Sequence, residues 1–227
     1  TCLDHLMKYS PDHFFMMVEG GNIDHALHAN DGGAAIKEII NFNEALQVAY
    51  DFYLQHPDET LIVVTADHDT GGMALGNRTI GYKSELQLFN YQRKSKEAFS
   101  HECRAMLKSR RIYTWDDMRE KLEEDFGLFK QIPVSEKQEE KLKEMFTKTF
   151  ELRNSEDQKT LYASFDAFTV AVFNLVNEAA GIGFTTTSHT GNPVPLFAVG
   201  VGACNFKGFN NNNEIAPTML RILGFGK

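Results

Sequence analysis

The sequence predicts an α/β fold: a mostly parallel sheet flanked by helices, interrupted by a helical insertion. Residues 14–18 and 60–66 are short apolar runs, the second rich in β-branched side chains, as expected for buried strands. Between them, from residue 34 to 56, apolar residues recur at three- and four-residue steps, which predicts an amphipathic helix. Strand, helix, strand, with polar residues after each strand, is the α/β pattern that binds ligands at one edge of the sheet.

The middle of the chain, residues 82–162, is rich in charge and predicts helices with solvated faces. Thr114 is a plausible N-cap, and residues 135–138 resemble a capping box. We interpret this segment as an insertion into one domain. Residues 1–81 and 163–227 are then expected to form the α/β core.

The core resumes with an apolar helix over residues 165–180, for which Gly181 is a suitable C-terminal cap. Residues 183–187 and 194–203 are expected to be strands, and residues 215–223 a final apolar helix.

Composition argues against several classes of function. The net charge is -8, from 23 basic and 31 acidic residues, so no nucleic-acid partner is expected. The three cysteines are widely spaced and form no C-x-x-C pair, so they do not predict a thiolate zinc site. The longest apolar stretches fall short of the ~20 residues that span a bilayer, and no transmembrane segment is expected.

The first candidate metal ligands follow the first predicted strand. Asp24 and His28 are one helical turn apart and project from the same face, while Glu19 stands at the end of the strand. Carboxylate oxygen with imidazole nitrogen suits zinc, and an additional carboxylate suits magnesium. A polar helix with a capping aspartate explains this segment about equally well.

Further candidates follow later strands. Asp67 and His68 come directly after the strand at residues 60–66, ahead of two glycines that allow both side chains to face one ion. Taken alone, this pair is better explained as a turn that caps the next element. His189, in a loop after a predicted strand, is the third imidazole candidate.

Three motifs together carry a family resemblance. Residues 18–28 (VEGGNIDHALH), 65–72 (TADHDTGG) and 188–191 (SHTG) resemble the successive metal-binding motifs of alkaline phosphatases, in the same order. The resemblance covers about residues 14–76 and 184–227 and does not extend to the insertion.

The resemblance implies two zinc ions, one magnesium ion and hydrolysis of a phosphate monoester to inorganic phosphate. It implies that Asp24, His28 and His189 hold the first zinc, that Asp67 and His68 bind the second, that Glu19 binds magnesium, and that His25 lies near magnesium and phosphate. In such a mechanism two cations about 4 Å apart clamp the attacking and leaving oxygens, and a serine forms a covalent intermediate.

The sequence departs from the family at the nucleophile. None of its serines follows an aspartate as the family's nucleophile does, and the phosphate-binding arginine motif is also absent. Because Thr1 is not an initiator methionine, we expect a C-terminal portion of a longer enzyme, inactive by itself. The resemblance further implies a periplasmic, secreted or cell-surface protein, with the insertion as a cap over the metals or as a homodimer contact.

Two alternatives remain open. Phosphodiesterases, sulfatases and cofactor-independent phosphoglycerate mutases of the same superfamily also use Asp and His ligands at strand ends. A non-catalytic zinc-binding or interaction module is the second alternative, with residues 82–162 as its functional surface.

Overall fold

A computed structural model describes residues 2–10, 12–109 and 111–225. The α-helices are α1 (Cys2–Tyr9), α2 (Gly21–His28), α3 (Gly32–Gln55), α4 (Lys96–Lys108), α5 (Trp115–Phe126), α6 (Glu136–Phe146), α7 (Ala167–Ala180) and α8 (Asn212–Ile222). The strands are β1 (Leu61–Val64), β2 (Asp69–Thr70), β3 (Ala74–Leu75), β4 (Gln158–Lys159), β5 (Ser164–Phe165), β6 (Ile182–Gly183), β7 (His189–Thr190) and β8 (Phe197–Gly200).

The strands form two-stranded antiparallel pairs, and the predicted mostly parallel sheet is not seen in the described residues. β1 pairs with β8, from Leu61 opposite Gly200 to Val64 opposite Phe197. The other pairs are β2 with β7, β3 with β6 and β4 with β5. A parallel sheet needs further strands beside β1, and in the described residues β8 is its hydrogen-bonded neighbour.

The predicted strand at residues 14–18 is absent from the structure, which gives this described segment no regular secondary structure. Phe15, Met17 and Val18 are exposed to solvent, Met17 at 80%, while Phe14 and Met16 are half-buried. A strand forms only where its backbone groups find a partner, and none of the named strands pairs with this segment. β1 itself is half-buried, although the sequence predicts a buried interior strand.

The helices agree with the sequence because their ends carry local signals. Thr114 and Ser135 both form capping boxes, at the starts of α5 and α6. α7 ends at Gly181 in the left-handed conformation, with a φ of 79°. These three predictions are confirmed.

The main hydrophobic core lies between the helices of residues 82–162 and α7. Phe126 packs edge-on against Phe99 and Phe173, with ring centroids 5.0 Å and 5.3 Å apart. All three rings are fully buried. The charge-rich segment therefore has a solvated outer side and an apolar inner side that packs on α7.

Buried polar groups of α4 and α7 form hydrogen bonds with the turn between α2 and α3. The Lys96 ammonium donates to the Ala29 carbonyl at 2.8 Å, and the Lys96 amide donates to the Asp31 carboxylate at 2.7 Å. The Asn177 amide nitrogen donates to the Asn30 carbonyl at 2.8 Å. Burial lowers the pKa of Lys96 to about 8 and raises the pKa of Asp31. Helix α4 and helix α7 thereby fix the C-terminal end of α2.

Apolar side chains remain exposed on the side of α3, β1 and β8. Ile40, Leu54 and Phe197 are among them. None of the helices in the described ranges has both the length and the apolar character needed to cross a bilayer.

Candidate metal centre

Helix α2, the loop after β1 and strand β7 converge on one cluster of ligand atoms. The β2–β7 pairing sets Thr70 opposite His189, and this brings the loop carrying His68 beside His189. Ligand atoms of Asp24, His68 and His189 all lie within 4.8 Å of one another. A carboxylate oxygen and imidazole nitrogens form a donor set that suits zinc.

His28 lies beside this cluster and is buried, 2% exposed. Its Nδ1 lies 2.6 Å from the Thr187 carbonyl oxygen, which can only accept, so Nδ1 carries the proton. The Nε2 lone pair of the neutral ring then faces the centre. Nε2 lies 3.5 Å from the Asp24 carboxylate and 3.1 Å from Nε2 of His189.

Thr70 links two of the predicted ligands. Its hydroxyl donates to the Asp24 carboxylate at 2.6 Å, and its oxygen lies 3.1 Å from Nδ1 of His68. Because the hydroxyl proton goes to Asp24, the oxygen accepts from Nδ1 of His68. In the neutral form of His68 this leaves the lone pair on Nε2. The ring stacks on His189 with centroids 3.5 Å apart.

Two glycines allow the backbone to turn after β2 without a steric clash with neighbouring residues. Gly71 and Gly72 have φ angles of 77° and 54°. A Cβ on Gly72 would lie 2.1 Å from the Thr185 hydroxyl oxygen. The Gly71 amide donates to the Ser188 carbonyl at 3.0 Å. Glycine is required here so that the loop before His189 can close against β2.

The outer side of the cluster is acidic. Asp67 is exposed, with its carboxylate 3.2 Å from Nε2 of His68, and Glu19 is exposed just before α2. Partial desolvation raises the pKa of the Tyr162 hydroxyl, and the carboxylates of Asp24, Asp67 and Glu19 raise it further.

Comparison with protein families identifies the chain. The family model described as alkaline phosphatase matches residues 2–225. The chain belongs to the alkaline phosphatase family.

Two similar alkaline phosphatases are those numbered 3 and 4 from Bacillus subtilis. The first is 32% identical over 214 residues, which cover 94% of this chain and 41% of the relative. The second is 30% identical over 220 residues, covering 94% and 40%. This family member thus spans about two fifths of the length of these relatives.

Solved structures of the family share the fold. The cold-active alkaline phosphatase of the psychrophile Shewanella sp. has a TM-score of 0.68 and 28% identity, over 92% of this chain and 45% of that one. The Thermus thermophilus alkaline phosphatase has a TM-score of 0.69 and 22% identity, over 99% and 46%. These neighbours support the α/β class predicted from the sequence.

The predicted ligands do not all lie at one point. Asp24, His68 and His189 form the cluster, His28 contacts its members Asp24 and His189, and Asp67 contacts His68 at its edge. The other two predicted site residues, Glu19 and His25, are exposed on the outer side of the cluster.

Sequence reasoning missed two residues at the site, Thr70 and Tyr162. Thr70 carries a usable signal, because it lies two positions after His68 and alternation in an extended segment places such side chains on one side. Tyr162 has no local signal. Its ring reaches His25, with centroids 4.2 Å apart, through the docking of a distant hairpin.

Proposed function

We propose that the alkaline phosphatase of which this chain forms part hydrolyses phosphate monoesters to inorganic phosphate, and that this chain supplies most of its zinc ligands. The observation that carries the proposal is the cluster of Asp24, His68 and His189, with His28 in contact with Asp24 and His189. Cations bound there would supply Lewis acidity that stabilises negative charge on phosphoryl oxygens.

The proposed assignment follows the family motifs. One zinc would be held by Asp24, His28 and His189. A second zinc would be held by Asp67 and His68, and magnesium by Glu19, with His25 beside it.

The chain's own residues prepare these donors. In the neutral rings of His28 and His68, the Thr187 carbonyl and the Thr70 oxygen accept from Nδ1, so that both Nε2 lone pairs would be available to a metal ion. Thr70 also fixes the carboxylate of Asp24. Hydrogen bonds of this kind orient metal ligands and set their basicity.

We further infer that the serine nucleophile and the phosphate-binding arginine lie in a part of the enzyme outside this sequence. The absence of an Asp-Ser motif and the two-fifths share of the relatives' length support this inference. The exposed apolar residues Met17, Ile40 and Phe197 suit a surface that further strands would cover, completing a mostly parallel sheet.

Residues 82–162 are proposed to be an insertion that covers the metal centre, since Tyr162 at its end contacts α2. A homodimer contact through this insertion and a periplasmic, secreted or cell-surface location are proposals from the family resemblance alone.

Zinc titration of the purified chain with a competing chelator tests the metal proposal. We expect tight binding that Asp24→Asn and His189→Ala weaken by at least tenfold, because each removes a ligand. His101→Ala is the matched control, since that exposed imidazole lies on α4 and pairs with Glu97. Equal affinity in all four proteins would refute the assignment.

Assays with an aryl phosphate as substrate separate the role of this chain from that of the rest of the proposed enzyme. The chain alone is expected to give no zinc-dependent turnover, and a longer protein that contains it is expected to be active. Turnover by the chain alone would contradict the inferred position of the nucleophile.

A further inference from the structure

The turn that directly follows His28 is bound by two buried polar side chains, Lys96 of α4 and Asn177 of α7. Ala29 is the C-terminal cap of α2, and its carbonyl accepts a hydrogen bond from the Lys96 ammonium at 2.8 Å. The next carbonyl, that of Asn30, accepts from the Asn177 side chain at 2.8 Å. Carbonyl groups at the end of a helix have no donor within that helix, so donors from other elements determine how the helix ends.

The same two residues also bind the second half of this turn. The Lys96 backbone amide donates to the Asp31 carboxylate at 2.7 Å, and the Asn177 side-chain oxygen accepts from the Gly32 amide at 3.2 Å. A Cβ on Gly32 would lie 2.8 Å from that oxygen, so a side chain there would displace it. Residues 29–32 are therefore held, one after another, by α4 and α7.

The Lys96 ammonium is buried, and Lys96 as a whole is 1% exposed. Its other neighbours are the Gln158 side-chain oxygen at 3.4 Å and the Phe165 ring, whose centroid lies 4.8 Å away. Buried charged groups often contribute no net stability compared with apolar residues of similar size. Stability therefore gives little reason for a lysine at this position, whereas its hydrogen bond specifies where the Ala29 carbonyl lies.

His28 is the proposed ligand that this turn can move. Its Nε2 lies 3.1 Å from Nε2 of His189 and 3.5 Å from the Asp24 carboxylate. Its ring is held at Nδ1 by the Thr187 carbonyl, 2.6 Å away. Because Ala29 is bonded directly to His28, a displaced Ala29 would shift the His28 backbone and alter all three distances.

We propose that Lys96 and Asn177 are positioning residues of the metal centre, which set its zinc affinity by fixing the turn that follows His28. The proposal rests on the proposed zinc function of His28. It gives α4, and with it the 82–162 segment, a part in zinc binding through a residue that is not itself a ligand.

Chelator competition on the purified chain measures the contribution of each side chain. Lys96→Met keeps the length of the side chain and removes its charge and its donor, while Asn177→Ala removes both hydrogen bonds of the amide. Each substitution is expected to weaken zinc binding about tenfold, as loss of a group that orients a metal ligand does.

Leu142→Ala is the matched control for general destabilisation. Leu142 is a buried core residue of α6, 2% exposed, and its truncation destabilises the fold through a cavity. The control should bind zinc within about twofold of the unmodified chain. If Lys96→Met and Asn177→Ala bind zinc as the control does, the proposal is wrong.

A double-mutant cycle tests whether Lys96 acts through His28. In a His28→Ala chain, Lys96→Met should weaken zinc binding by less than about twofold, because the ligand that Lys96 positions is already gone. In a His68→Ala chain, Lys96→Met should still weaken binding about tenfold, since His68 lies on a different element. Equal effects in the two chains would refute the proposal. If Lys96→Met does not fold, Asn177→Ala is carried through the same cycle and decides the question.

These measurements also separate this proposal from the proposed function. An unmodified chain that binds no zinc would refute the zinc function, and the positioning role, which rests on it, as well. Zinc binding that is tight in the unmodified chain and equally tight in both variants would refute the positioning role alone.

Discussion

Replacement of Thr70 by valine tests whether a single buried hydroxyl orders the metal centre. Thr70 is 2% exposed, so water has little access to replace its hydrogen bonds. Its oxygen donates to Asp24 at 2.6 Å and lies 3.1 Å from Nδ1 of His68. Valine has nearly the same shape but neither donates nor accepts, so the substitution removes both interactions and leaves the packing almost unchanged.

The expected effect follows from the contact with the Asp24 carboxylate. A hydrogen bond to a charged group contributes about 1.5 to 3 kcal/mol. Loss of a hydrogen bond that orients a metal ligand typically reduces affinity about 10- to 100-fold, equivalent to about 1.4 to 2.8 kcal/mol. The two ranges agree, so we expect Thr70→Val to weaken zinc binding by about 10- to 100-fold.

Chelator competition on the purified chain measures this change, and Thr70→Ser is the matched control. Serine keeps the hydroxyl and removes one methyl group, so it should bind zinc within about threefold of the unmodified chain. If Thr70→Ser weakens binding as much as Thr70→Val, the methyl group rather than the hydroxyl is responsible. If neither variant weakens binding, Thr70 does not orient the centre.

Three predictions concern the folded state. Because burial lowers the pKa of Lys96 to about 8 from 10.5, the unfolded chain binds more protons between these pH values, and stability rises with pH across that window. The free energy of unfolding of the unmodified chain, measured with urea, should therefore rise by at most about 3 kcal/mol relative to that of Lys96→Met between pH 8 and 10.5. A difference between the two proteins that stays constant with pH would contradict this. Phe173→Ala, in the buried core, should lower the free energy of unfolding by about 3 to 5 kcal/mol in the same assay. A loss under about 1 kcal/mol would exclude close packing around Phe173. Gly72→Ala should cost at least about 1 kcal/mol, since its φ is 54° and its new Cβ would meet Thr185; a thermal melt unchanged from the unmodified chain would show that this turn adapts freely.

The helices were predictable because their signals are local. Apolar periodicity located α3 and α7, while Thr114, Ser135 and Gly181 marked three helix ends. The strands were less predictable, because a strand depends on a partner distant in sequence. Residues 14–18 have a strand-like composition and remain unpaired, whereas β1 pairs with β8 far along the chain.

The same distinction between local and long-range signals applies to the candidate site. Asp24 and His28 are brought together by one turn of α2, so their spacing alone predicts their approach. The approach of His68 to His189 depends on the β2–β7 pairing. The sequence indicated this approach only through the resemblance of its motifs to a family. Tyr162 reaches the site by way of a hairpin docked on α4, and no local pattern in the sequence encodes that contact.

The closest group of ligand atoms crosses the proposed boundary between the two zinc sites. It joins Asp24 and His189, proposed for one ion, with His68, proposed for the other. Two zinc ions about 4 Å apart have ligand shells that overlap, so proximity alone does not divide the donors. The contacts of each imidazole nitrogen separate the donors further. Nε2 of His28 lies 3.5 Å from Asp24 and 3.1 Å from His189, whereas Nε2 of His68 lies 3.2 Å from Asp67. These contacts are the ones expected if the proposed division of ligands between the two zinc ions is correct.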